Sequence, residues 1–209
     1  MRMIKIFYRP LILLLLLPCL AYPASQTKIV GTCVNDPVAT NVDWTEPGDA
    51  TADDGNNTGG VGGDRIQDTE ESDRLKGTMS GNIFTIPGTA TIDSIKVEID
   101  IIDNRNKDEG QDLEVRLIKA GSPVGNDESK AAAVPGVQTI RVYAPLNLWG
   151  TTWTPAQINA TDFGVGLRLE VIGDAGRCEA GVDFLRITVH YTPAAGGAVG
   201  QIIMINDGG

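Results

Sequence analysis

Histidine is almost absent from this chain, with His190 the only one in 209 residues. A Ser-His-Asp or Cys-His device needs an imidazole held beside a nucleophile. His190 sits between Val189 and Tyr191 in an alternating stretch, on the same side as Arg186 and Thr188, so it is expected to face solvent. Basic residues are also scarce, 17 against 27 acids for a net charge of −10. Nucleic acid and anionic lipid are bound through Lys and Arg, so neither is an expected partner. Beyond the N-terminus no apolar run approaches the roughly 20 residues that span a bilayer, and no membrane span is expected. No long amphipathic helix is present to carry parallel crossovers, which leaves antiparallel pairing for any strands. No repeat marks a solenoid or propeller.

The single long apolar run belongs to an export signal over residues 1–24. Arg2, Lys5 and Arg9 form a basic start, residues 11–17 an apolar centre, and PCLAYPASQ supplies small residues for cleavage after Ala21 or Ala24. Pro18 precedes Cys19, where lipoprotein processing needs a small residue. Loss of three basic side chains takes the formal charge from −10 to −13 and leaves about 185 residues, enough for one sandwich core. The expected location is secreted or cell-surface. Of three cysteines, Cys33 and Cys178 survive cleavage, and an even count in an oxidising compartment predicts a disulfide between them.

The rest reads as strands. Ile95, Val97, Ile99 and Ile101 alternate with Lys96, Glu98 and Asp100, the period-2 pattern of a strand buried on one face. The same pattern sets Leu113, Val115 and Leu117 on one face, and Ile140 and Val142 on one face with Arg141 opposite. Phe163, Val165, Leu167, Leu169 and Val171 form another face, as do Leu185, Ile187, Val189 and Tyr191. QTKIVGTCV, DRLKGTM and NIFTIP are shorter candidates. About eight strands separated by Gly, Asp, Asn and Pro clusters predict an all-β, antiparallel, jelly-roll-like β-sandwich over residues 25–192. One short helix is expected where Thr154 can cap and Pro155 takes the first helical position.

Candidate sites lie mainly in loops. Asp49, Asp53, Asp54, Asn56 and Asn57 supply oxygens for a structural calcium, although their spacing is not that of an EF-hand. The same residues are also ordinary turn formers. Trp44, Trp149, Trp153, Tyr143 and Phe163 could form a sugar-stacking platform or anchor the core. Glu98, Asp100, Asp112 and Glu114 could in principle include a glycosidase pair, but alternation places them on a solvated outer face. Residues 194–197 read as a flexible linker, and Ile202, Ile203, Met204 and Ile205 beyond it as an uncharged strand. Left exposed, that strand would promote aggregation, so it is expected to pair with a sheet edge in cis or with a neighbouring copy.

Four segments in order, VDWTEPGDATADDGN, IFTIPGTATIDSIKVEI, LWGTTWTPAQINATDFGVGLRLEV and VDFLRITVHYT, cover most of residues 42–192. Together they resemble a β-sandwich module that recurs in bacterial secreted and surface proteins and in phage-related structural proteins. The resemblance implies a jelly-roll-like fold similar to carbohydrate-binding modules, without catalytic residues. The cysteine pair and the enlarged loop at residues 55–74 depart from that pattern. The expected function is a non-catalytic structural or interaction module with a protein or surface glycan as partner. The alternative is carbohydrate binding, with glycoside hydrolysis third.

Overall fold

A computed structural model describes residues 22–38, 41–58, 64–67, 70–104, 110–171 and 177–195, with residues 64–67 and 177 described by their main chain alone. Most of the expected export signal and all of Ile202, Ile203, Met204 and Ile205 lie outside these residues. The described residues form ten strands: β1 (Ala24–Ile29), β2 (Thr32–Asp36), β3 (Asp64–Gln67), β4 (Arg74–Thr78), β5 (Thr91–Asp103), β6 (Gly110–Lys119), β7 (Ser122–Val124), β8 (Thr139–Tyr143), β9 (Gly164–Val171) and β10 (Arg177–Thr192). A 3-10 turn spans Pro47–Ala50, and the one α-helix, α1, spans Pro155–Ile158. No helix among them is long and apolar enough to cross a membrane.

The strands make two antiparallel sheets. The first has the order β1-β10-β5-β8, and β3 extends the β1 side along the other half of β10; the second has the order β2-β4-β9-β6-β7. Four pairings are nested: β6 with β7, β5 with β8, β4 with β9, and β1 with β10. That nesting is one long antiparallel hairpin wound across two sheets, the jelly-roll arrangement. Strands β2 and β3 are additions between the first and second strands of the hairpin.

Alternation builds the core as expected on the long strands. Ile95, Val97, Ile99 and Ile101 of β5 meet Val165, Leu167 and Leu169 of β9 and Leu185, Ile187 and Val189 of β10 in one buried cluster. Truncating any one of the isoleucines or leucines among these to Ala costs about 2–5 kcal/mol. Two strands depart from the expected pattern. β6 carries a bulge between Asp112 and Glu114, which moves Leu113 off the core face and buries Asp112 at 1 % exposure. On β8, Arg141 pairs with Ile99 and Tyr143 with Val97, so these two point inward and Ile140 is left 44 % exposed outside. The segment NIFTIP forms no strand. Phe84 and Ile86 are buried there, but the main chain is held by Gln26 and Asn159 side chains in place of a ladder.

The short helix follows its sequence signal. Thr154 Oγ1 accepts from Gln157 N, and Gln157 Oε1 accepts from Thr154 N, a reciprocal capping box with Pro155 in the first turn. The turn delivers Phe163 into the core, where its ring meets Trp153 at 5.3 Å and Phe84 at 5.9 Å.

Candidate functional site

The tryptophans act as anchors. Trp44, Trp149 and Trp153 are 2 %, 0 % and 7 % exposed. Each indole N–H is spent on a main-chain carbonyl: Trp44 on Asp73, Trp149 on Ile95 and Trp153 on Leu148. Tyr143 is fully buried, and burial pushes its phenol pKa up. None of these rings presents a face to a sugar, so the stacking platform expected from Trp149, Trp153 and Tyr143 is not formed.

The expected disulfide is also absent, and the fold explains why. Cys33 pairs with Gly77, which pairs with Val165 of β9. Cys178 lies against Gly110, where a Cβ would collide with its sulfur, and Gly110 pairs with Val171 at the other end of β9. Six residues of strand separate the two levels, about 20 Å at the usual rise. A disulfide needs Cα atoms within about 7 Å. Both sulfurs are buried in different parts of the sandwich, with Cys33 Sγ directed at Ala50 O, 3.8 Å away. Burial raises the Cys33 pKa to about 12.

The residues expected to hold calcium do not converge. Asp53, Asp54 and Asn56 are exposed and Asp49 is half-buried. Asp54 Oδ1 accepts from Asn56 N at 3.0 Å, and Asp53 lies 4.0 Å from the Arg186 guanidinium. Among the described residues no three His, Cys, Asp or Glu side chains are placed to hold a metal ion. The loop is fastened in the opposite sense. Its N–H groups at Asp54 and Gly55 donate to Asp183 Oδ1, so a buried carboxylate gathers the main chain around itself. Thr58 completes the attachment by exchanging hydrogen bonds with Val182 on β10.

Asp183 occupies a bulge of β10, between Val182 and Phe184, on the outer face of the first sheet. Beside it Asp100 projects from β5 on the same face, paired in register with Phe184. Gln138 Nε2 donates to both carboxylates, at 3.0 Å to Asp100 and 3.3 Å to Asp183. Burial raises the Asp183 pKa, and the charges of Asp100 and Asp53 add to the rise, while the N–H groups of Asp54 and Gly55 oppose it. Alternation puts Asp100 in solvent, but it is 7 % exposed and bonded by Gln138. Nothing in the alternation of β10 marks Asp183, because only the bulge makes it face the loop.

A second buried carboxylate closes the other side of the sandwich. Asp112, carried inward by the β6 bulge, accepts from Arg141 Nη1 at 3.0 Å and from the N–H groups of Lys130 and Ala132. Arg141 also donates to the carbonyls of Ala132 and Ala133. This cluster ties β6 of one sheet to β8 of the other through the loop between them.

The outer face of the second sheet is a lattice of ion pairs. Arg74 reaches Asp36 at 2.7 Å and Glu114 at 2.9 Å; Lys76 pairs with Asp36 and Arg168 with Glu71. Glycine at position 166 permits this, since a Cβ there would lie 2.5 Å from Arg74 Cδ as the side chain crosses β9. A shallow groove of about 270 Å³ beside α1 is lined by Lys119, Ala120, Ala156, Gln157, Ala160 and Asp162. Two of its polar side chains are already engaged: Lys119 bonds Thr152 O and stands 4.9 Å over Trp153, and Gln157 belongs to the helix cap. His190 is half-exposed on the outer face of β10.

Fold and sites define an antiparallel jelly-roll β-sandwich whose aromatic and buried charged groups hold the two sheets together. Compared with protein-family models, curated proteins and solved structures, the chain matches none.

Proposed function

We propose that the protein is a non-catalytic structural module of an exported, cell-surface or extracellular assembly, working through protein–protein contact. The observation that carries this reading is the apolar fringe along β8, an edge strand of the first sheet. Ile140 on β8 is 44 % exposed, and Val137 before the strand and Leu146 after it are 74 % and 86 % exposed, together half of the large exposed hydrophobics among the described residues. Exposed apolar side chains on and beside an edge strand favour an interaction surface. The resemblance to modules recurring in secreted, surface and phage-related structural proteins agrees with it. A second copy is the partner put forward, and the run Ile202, Ile203, Met204 and Ile205 is a second contact element of the same assembly.

Sedimentation velocity of the mature chain over a concentration series tests the reading. Oligomers that dissociate in the Ile140→Lys, Leu146→Lys double variant are expected. A chain that stays monomeric at every concentration overturns self-assembly. Deleting residues 198–209 then shows whether the tail shares the contact. Saturable binding on a glycan array, with no self-association, would establish the carbohydrate-binding alternative and would need a surface other than the buried tryptophans.

A further inference from the structure

Among the described residues, Asp100 and Asp183 form a buried carboxylate pair with no cationic side chain in an ion pair with it. Their exposures are 7 % and 1 %. Because one nitrogen lies 3.0 Å from Asp100 Oδ2 and 3.3 Å from Asp183 Oδ2, these oxygens are no more than about 6 Å apart. Arg186 of the same strand is bonded to Glu98 at 3.1 Å and lies over the Phe184 ring at 4.5 Å. Among the described residues no Lys, Arg or His forms an ion pair with either carboxylate. Gln138, which bridges them, is neutral. Charges buried in this way are ordinarily paired or coordinate a metal.

A second observation concerns individual atoms. Asp100 Oδ1 and Asn57 Oδ1 are both buried and have no hydrogen-bond partner. Most buried polar atoms have one, and each exception needs a physical reason. Asn57 lies over Gly181, where a Cβ would come within 2.8 Å of its own Cβ. Gly181 is two residues from Asp183 on β10 and pairs with Ile102, two residues from Asp100 on β5. Asn57 therefore stands one outer-face repeat along from the carboxylate pair, in the loop that is fastened to Asp183.

Two carboxylates, an amide oxygen and a covering loop are the donor chemistry of a hard divalent cation. We propose that Asp100, Asp183 and Asn57 bind a divalent cation of the calcium class beneath the loop at residues 51–58. All three donors are oxygens, so zinc-class ions that prefer nitrogen and sulfur are poor occupants. Calcium is the favoured ion because it accepts irregular oxygen sets, whereas magnesium demands a near-octahedral one. The cation neutralises the pair, occupies the orphan oxygens and ties β5, β10 and the loop together. This site is independent of the assembly reading above.

The test uses the mature protein stripped with EDTA, at pH 7, with calcium chloride and separately magnesium chloride as probes. Calcium at a hundredfold excess over its dissociation constant is expected to raise the melting temperature by about 5–10 °C. Calorimetric titration should give one site per chain. Asp100→Asn should lose both signals while keeping the far-UV circular dichroism of the wild type; Asn57→Ala should weaken binding at least tenfold. Asp36→Asn, on the other sheet, should keep the full calcium response. Identical melting of the stripped wild type with and without calcium overturns the proposal. So does a calcium response that survives unchanged in Asp100→Asn. A stripped protein that ignores calcium but melts higher as pH falls from 7 to 5 also overturns it, with a proton shared between Asp100 and Asp183 in the cation's place.

Discussion

Asp112 and Asp183 are both 1 % exposed, and both sit at bulges, yet they are balanced in opposite ways. Asp112 faces Arg141 and two main-chain N–H groups, so its charge is matched where it is buried. Asp183 has two main-chain N–H groups and the neutral Gln138, with Asp100 as its neighbour. The contrast is instructive because the same chain solves one case with arginine and leaves the other without it. Burial alone does not decide the energetics of a carboxylate; the sign of what faces it does.

The sharpest way to break the comparison is to remove the matched acid. Asp112→Ala leaves Arg141 buried without its partner, and breaking one side of a buried pair costs about 3–5 kcal/mol. Urea unfolding should show that loss, and Asp112→Asn should recover part of it by keeping one acceptor oxygen for Arg141 and Ala132 N, at the expense of the bond from Lys130 N. Asp100→Asn in EDTA should instead be neutral or stabilising, because it removes an unmatched buried charge. Equal losses in the two variants would erase the distinction.

A smaller effect is expected at the surface lattice. Gly166→Val would place a side chain where Arg74 crosses β9, forcing it off Glu114. Overpacking and the lost pairs together should cost about 2 kcal/mol by urea unfolding. Glu114→Gln, which removes only the charge, should cost less than about 1 kcal/mol. If the two cost the same, the glycine is not there for the arginine.

How much of this was legible beforehand depended on whether a residue answers to its neighbours in sequence or to partners far along the chain. The β5, β9 and β10 core faces follow from alternation, and α1 follows from Thr154, Pro155 and Gln157 within four positions. The face of β8 was misread because Arg141 points inward, and its reason to do so, Asp112, lies 29 residues away on a bulge. The cysteines were paired on compartment and count, but sheet register sets them at opposite ends of β9. The acidic loop was read as ligands, although its main chain is what engages Asp183, a residue more than 120 positions distant. Its candidate cation oxygens come mostly from the sheet beneath.

The helix cap offers a local control. Thr154→Ala removes the acceptor for Gln157 N and should cost about 1 kcal/mol, with Thr154→Ser close to wild type. Chemical denaturation resolves this difference. It should be the same with and without calcium, since α1 contributes no donor to the carboxylate pair.

The smallest expected effect compares Asp183 with Asp36 through pH. At Asp36 burial opposes ionisation, but hydrogen bonds and charge from Lys76 and Arg74 outweigh it and lower the pKa. The stability Asp36 contributes is therefore present above the ordinary aspartate value near pH 4 and is lost as pH falls through its lowered pKa. Asp183 has a raised pKa, so its contribution is present below pH 4 and is lost as pH rises through the raised value. The two single variants should thus diverge in EDTA. As pH rises from 3 to 7, the wild type should gain stability relative to Asp36→Asn and lose it relative to Asp183→Asn. Asp36 is partly exposed, so salt should shrink its slope. Asp183, on which the charges of Asp100 and Asp53 act, should respond less to salt because the site is buried. Saturating calcium should flatten or reverse the Asp183 slope, since a bound cation favours the charged carboxylate, and should leave the Asp36 slope unchanged. Slopes of the same sign in EDTA would mean that the two carboxylates are balanced alike, against the geometry of Gln138 and the loop.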